Sequence, residues 1–405
     1  MNSNVFFLFF TIFCMCSLQS DACQPKMLSA PNKRIIKPPA NYYLGIRTAS
    51  FEIEYTGFTL EQEAAFDMAA DIWASIVVSD VPITIKANYI GMPGLGGITL
   101  PNMKKNFSSA PEIEKWYVSA LANSLAGYDL APDEMDMDIH IGMDDWYYGL
   151  DGACPATKAD FVSLCLHEIC HGLGFVGVAK VSGSLGSFGE ITAADFGIST
   201  SFPFLSMEGK SSVFDTYLRN NADQFLCDTI IFPNNSPELK IAMTTNDVYF
   251  DGANAQFVDP IKKVRIHAPT SFLLGTSMVH LNEVSYSAAD TNTLMTPYYE
   301  YGVVTHAPGF ITTAVLQDIG WTLNATYTSI NQNDIDLTYT YVNNIFRVLS
   351  DIDVMEINVY TINGQQVLSN KNTNHIDLSN IEEKVIIVHI KSKTSKWDAV
   401  KLVHH

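Results

Sequence analysis

Basic side chains are scarce in this chain: 24 Lys and Arg stand against 43 Asp and Glu in 405 residues, a formal net charge of −19. A phosphate backbone would be repelled by such a surface, which excludes nucleic acid as a partner in the absence of a basic patch. Charge of either sign is sparse too, at 17% against 47% hydrophobic residues, which excludes wholesale disorder and leaves apolar surface for two or three domains. There is no tandem repeat, low-complexity tract, Gly-x-Ser-x-Gly elbow or phosphate-binding glycine loop, so those routes to acyl and phosphoryl chemistry are closed. An Asp-x-Asp-x-Asp-Gly loop is also missing. The acidity is therefore read mainly as solubility, with calcium left open as a second ion.

Long apolar runs are equally rare. The stretch from Val5 to Phe13 is too short for a comfortable membrane span and is followed by Ser20-Asp21-Ala22, a small-x-small cleavage pattern. Residues 1–22 read as a secretory signal peptide, although no Lys or Arg precedes the run, and no later segment of the mature chain looks transmembrane. Cysteines number seven, of which Cys14 and Cys16 would leave with the signal. Cys23, behind a poor lipobox, leaves a lipid anchor open, or a thiolate that masks a metal. A Cys154–Cys227 bridge is allowed but not required, whereas Cys165 and Cys170 diverge on one helix and should not pair.

Residues 23–44, rich in Pro, Lys and Arg, suggest an extended arm or short pro-segment. Phe51 to Tyr55 alternates as a strand, and Thr59-Leu60-Glu61-Gln62 forms a capping box. The helix behind it buries Phe66, Ala69, Ala70, Trp73, Ile76 and Val77 on one stripe. Val81–Ala87 and Met137–Gly142 supply further strands, so the order is β-α-β ahead of the next helix. From about 178 to 275 periodicity is weak, predicting loops and short strands. After Asn331 the texture changes: Glu356–Tyr360 and Lys384–Ile390 alternate around the turn Asn363-Gly364, predicting a small β-sandwich over 334–405.

The chemistry gathers at His167-Glu168-Ile169-Cys170-His171. Positions i and i+4 share a helix face, so both imidazoles can reach one metal, and the carboxylate between them lies beside that face. Asp160 precedes the buried run as an N-cap, and Gly172 and Gly174 follow where a helix would stop and turn. A catalytic zinc takes three protein ligands and keeps one position open. In the pattern HExxHxxGxxH/D the third ligand falls six residues after the second His, but that position here is Gly177, which has no donor.

The segment from His167 to Phe175 instead resembles leishmanolysin-type metzincins, in which an insertion separates the glycine from a distant third His. The resemblance spans about residues 45–325 and is specific at the helix and at Met278-Val279-His280 through Leu294-Met295-Thr296-Pro297. It implies an α+β metzincin-like catalytic domain over 45–328, built from a twisted sheet, helices and a zinc helix. His280 is then the third zinc ligand and Met295 the Met-turn residue. A gluzincin arrangement would use Glu190, Glu208 or Glu283 instead. His140, His267 and His306 are expected in the cleft or in structural roles, Tyr298 beside an oxyanion or in packing, and His404 and His405 in solvent. The metzincin analogy also places the strand Met137–Gly142 along the cleft, paired with an extended substrate.

The tail, with Ile357 to Val367 and Ile376 to Ser379, looks like the C-terminal sorting domain of type IX secretion substrates, except that Lys384-Val385-Ile386 stands where that family has Gly-(Val/Ile)-Tyr. It implies the type IX secretion machinery as a partner, with the tail cleaved or surface-attached. Together these readings describe a secreted or outer-surface zinc endopeptidase acting on proteins or peptides, with Glu168 as general base. The alternative is a catalytically silent adhesin or binding module whose zinc is structural; an intact Glu168 argues against it, because a structural site needs no base.

Overall fold

The computed structural model describes residues 24–26 and 35–403, apart from 94–95, 193–194, 196–206, 259–262, 287–289, 325–338, 343, 350–352, 362–364, 384 and 394–396. The expected signal peptide, Cys23, the Asn363-Gly364 turn, and His404 and His405 lie outside these residues. The architecture is mixed α+β, with helices and several small sheets.

One four-stranded sheet organises the larger part. Strand β1 (Phe51–Thr56) leads through helix α1 (Leu60–Ala74) to strand β2 (Ile83–Pro93), and β1 and β2 pair in parallel. Thr59 caps α1 as the sequence predicts: its side chain accepts from the Gln62 amide while Gln62 returns the bond to the Thr59 amide. The expected stripe from Phe66 to Val77 is buried, with Ile76 and Val77 just past the helix end. Strand β3 (Gly97–Pro101) pairs antiparallel with strand β4 (Met137–Met143), which also pairs in parallel with β2, so the order is β1-β2-β4-β3. Met137, Ile139 and Ile141 alternate into the main core.

That order corrects one expectation. The strand Met137–Gly142 is interior, with β2 on one side and β3 on the other, so it has no edge to offer a substrate. Among the described residues no strand pairs with the outer side of β1 or of β3, and every residue of β3 is buried.

Helix α2 (Phe161–Gly172), which carries the histidines, packs on α1, β3 and β4. The Trp73 indole in the last turn of α1 donates to the Leu166 carbonyl at the middle of α2 at 2.9 Å, tying the two helices. Asp160 caps α2 by accepting from the Ser163 amide at Oδ2, and His306 closes on that same oxygen with its Nε2 2.7 Å away, so His306 is structural. Helix α3 (Gly309–Ile319) closes the core, and the Trp321 indole behind it donates to Leu173 at 2.6 Å. Between α2 and α3 the chain forms the expected short strands, a hairpin at Ala179–Ser182 and Leu185–Phe188 and three antiparallel strands at Leu218–Asn220, Val248–Phe250 and Val264–Ile266, and also two short helices, Pro237–Met243 and Ala253–Val258, that the weak periodicity does not predict.

In the N-terminal arm, Gln24–Lys26 lies parallel to Tyr298–Glu300 and Ile35–Ile36 parallel to Val304–Thr305. The C-terminal region has a core of its own. One sheet (Tyr339–Val342, Ile345–Val348, His375–Asp377) gives Phe346, Val348 and Ile376; the other, in the order Gln366–Lys371, Val354–Thr361, Val385–Ser392, Trp397–Val403, gives Ile357, Val359, Ile386, Val388 and Ile390. Val354 keeps its inward place out of alternation with Ile357 because the register shifts between Val354 and Glu356.

No described helix is long and apolar enough to cross a membrane. Cys165, Cys170 and Cys227 are free thiols, so the allowed Cys154–Cys227 bridge is not formed.

Candidate metal centre

The helix brings two of the three histidines together and the glycines behind it orient them. His167 and His171, one turn apart on α2, place their Nε2 atoms 3.0 Å from each other. Past Gly172 the chain turns through Gly174 in the left-handed region, at φ 113°. A side chain at Gly174 would begin 2.7 Å from Ile319 Cδ1, and the positive φ itself favours glycine in that turn. The turn carries the Phe175 carbonyl back to His171, whose Nδ1–H donates to it at 2.7 Å. Gly177, where shorter-spaced families place their third ligand, is packed so closely that a Cβ would lie 2.5 Å from Asp215 Oδ1 and 3.0 Å from the Met278 carbonyl. Asp215, wholly buried, holds this stretch by accepting from the Val178 and Ser212 amides.

His280 arrives from 109 residues further on and completes the group, its Nε2 3.1 Å from that of His167 and 3.2 Å from that of His171. Backbone bonds fix it: His267 N–H donates to the His280 carbonyl, Met278 N–H to the His267 carbonyl, and Leu281 N–H to the Met295 carbonyl. Met295 is fully buried in the main core. The turn it occupies supplies something the sequence did not signal: the Leu294 carbonyl accepts from His167 Nδ1–H at 2.6 Å. Thr276 does the same for His280 at 2.9 Å.

These outer contacts decide what the inner atoms can be. Each Nδ1 faces a backbone carbonyl, which can only accept, so each Nδ1 carries the hydrogen and each neutral ring presents a bare Nε2 lone pair. Three lone pairs pointing at one another 3.0–3.2 Å apart repel unless a cation lies between them. Ligand atoms about 2.0 Å from a shared ion in a tetrahedral arrangement lie about 3.3 Å apart, close to what is observed. Burial keeps the rings neutral: it lowers His167 to about 4, His171 to about 3 with His167 adding to the effect, and His280 well below the usual range. The buried three-histidine group can bind a metal ion, and among the described residues it is the one such group of His, Cys, Asp and Glu.

Glu168 lines the same cavity as the three histidines, together with Gly97, Thr99 and Gly177. It is 1% exposed, and burial pushes its carboxyl up to about 8, opposed by the Thr99 hydroxyl at 2.8 Å from Oε2. A cation at the histidines would act in the opposite sense, favouring the carboxylate. His167 also lines a second cavity, with Asp160, Glu283, Thr293, Tyr298 and Glu300.

Of the other candidates, none joins the histidines. Glu190 is exposed, Glu208 is exposed and paired with Lys105, and Glu283 lies in the second cavity. Tyr298 sits edge-on to His267 at 6.4 Å between centroids, and His140 lies beside Asp138 at 3.1 Å on the sheet face opposite Ile139 and Ile141. No model of a known protein family matches the sequence, and no curated protein matches it.

Proposed function

We propose that the chain is a secreted zinc endopeptidase of leishmanolysin-like metzincin type, acting on proteins or peptides. The observation that carries this reading is the convergence of three bare Nε2 atoms beside a buried carboxylate that is not among them. Three neutral nitrogen donors suit zinc, and three protein ligands rather than four leave a position for substrate chemistry. His167, His171 and His280 would hold the ion. When bound, zinc supplies Lewis acidity that draws charge from the scissile carbonyl and makes water a nucleophile near neutral pH.

The chain's own residues account for the rest. Glu168 takes the proton of the attacking water on its carboxylate and hands it to the leaving amine. The two cavities that share His167 give the side chains of an extended peptide room beside the histidines. On this reading residues 45–328 form the protease domain and 334–405 a β-sandwich of type IX sorting kind, which the two sheets around one C-terminal core support. That places the product outside the cell or on its outer surface.

Metal analysis and casein turnover test the function. The purified protein is expected to hold one zinc per chain, lose casein hydrolysis to 1,10-phenanthroline and regain it with added zinc. Full zinc without any hydrolysis of casein or a peptide library would favour the structural-metal alternative.

A further inference from the structure

Glu168 is gripped by the edge strand as well as by its own helix. Thr99 and Gly97 are alternate residues of β3, so both face α2, and they meet opposite oxygens of one carboxylate. The Thr99 hydroxyl lies 2.8 Å from Glu168 Oε2 and also 2.8 Å from the Glu168 main-chain carbonyl. At Gly97 a Cβ would fall 2.5 Å from Glu168 Oε1 and 2.7 Å from its Cδ, so the carboxylate occupies the place where a side chain would be. With Thr99 only 8% exposed and Glu168 1%, little water is available to replace either contact.

Resting on the peptidase reading above, we propose that Thr99 and Gly97 are positioning residues that set the plane of the Glu168 carboxylate. Thr99 holds Oε2 by a hydrogen bond, and Gly97 leaves the room that Oε1 needs. A hydroxyl has one hydrogen and two lone pairs and turns freely about its bond. While Glu168 is ionised, that hydrogen goes to Oε2. If Oε2 carries a proton, the hydroxyl can accept a hydrogen bond from Oε2–H and turn its own hydrogen to the Glu168 carbonyl, so one side chain serves both states of the base. Supporting groups of this kind act through orientation, and their loss costs roughly 10- to 100-fold.

The test uses the full chain loaded with zinc. Thr99→Val, which keeps the shape and removes the hydroxyl, is expected to lower kcat roughly 10- to 100-fold with KM little changed, and Thr99→Ser to restore most of it. Zinc content and thermal midpoint should match the parent protein. A readout apart from turnover is the affinity of a peptide hydroxamate, whose hydroxyl needs an acceptor carboxylate: it should fall with Thr99→Val and recover with Thr99→Ser. Gly97→Ala, which keeps the hydroxyl but pushes Oε1 aside, should lower kcat and hydroxamate affinity as well. Parental kcat and hydroxamate affinity in folded Thr99→Val, or a Thr99→Ser no better than Thr99→Val, would overturn the proposal and leave the peptidase reading standing. A parent protein that turns over no substrate would refute the peptidase reading, while the hydroxamate series still reports on the carboxylate.

Discussion

Three imidazoles whose Nδ1 atoms are already committed to carbonyls have one direction left in which to act, and all three point their Nε2 atoms the same way. The weakest link by sequence is His280, because it comes from a distant motif rather than from helix geometry. His280→Ala should leave two rings, too few to hold the ion against a chelator, and metal content and activity should fall together. Glu190→Ala and Glu283→Ala should keep full metal; stripping by either would point to a carboxylate ligand. A pH prediction follows from the same rings. Burial lowers His167 to about 4 and His171 to about 3 from 6.5, so in acid the unfolded chain takes up protons that the folded one does not. Their contribution to stability is present above about pH 6.5 and is lost as pH falls towards 4 and then 3. Denaturant titrations of the metal-free protein between pH 7 and 4 should show the midpoint dropping with acid; a flat profile would contradict the burial account.

At the scale of elements, α2 works because both its ends are fixed. Gly174→Ala would place a Cβ against Ile319 in a turn with φ of 113°, and is expected to cost about 2–3 kcal/mol of stability and loosen metal by shifting the Phe175 carbonyl from His171. Chemical denaturation and a competitive chelator assay measure the two effects. The helix and its Asp160 cap, the α1 capping box, and the strands at Phe51, Ile83 and Met137 were legible in the sequence, because each depends on periodicity or on residues within one turn. What was not legible depends on contacts far apart in the chain. Thr99 meets Glu168 across 69 residues, and the Leu294 carbonyl meets His167 across 127. The expectation that Met137–Gly142 pairs with a substrate fails for the same reason. Met137–Met143 reads strongly as a strand, but only the pairing of the short, glycine-flanked segment Gly97–Pro101 shows that it is interior.

On the scale of the whole molecule, the main core and the C-terminal core are made of different residues. Removal of residues 334–405 should therefore leave a folded, active catalytic part, and, on the sorting reading, trap it inside the producing cell. Cell fractionation with an activity assay checks both halves, and normal surface delivery of the shortened chain would sink the sorting role. The central claim is that the metal and Glu168 have separate duties, holding and proton transfer. It is tested most directly by Glu168→Ala, assayed side by side for zinc by plasma emission and for casein hydrolysis. Near-stoichiometric zinc with turnover reduced by several orders of magnitude, on the order of what loss of a general base and its positioning brings, is the predicted result. Undiminished hydrolysis in the mutant would contradict the account.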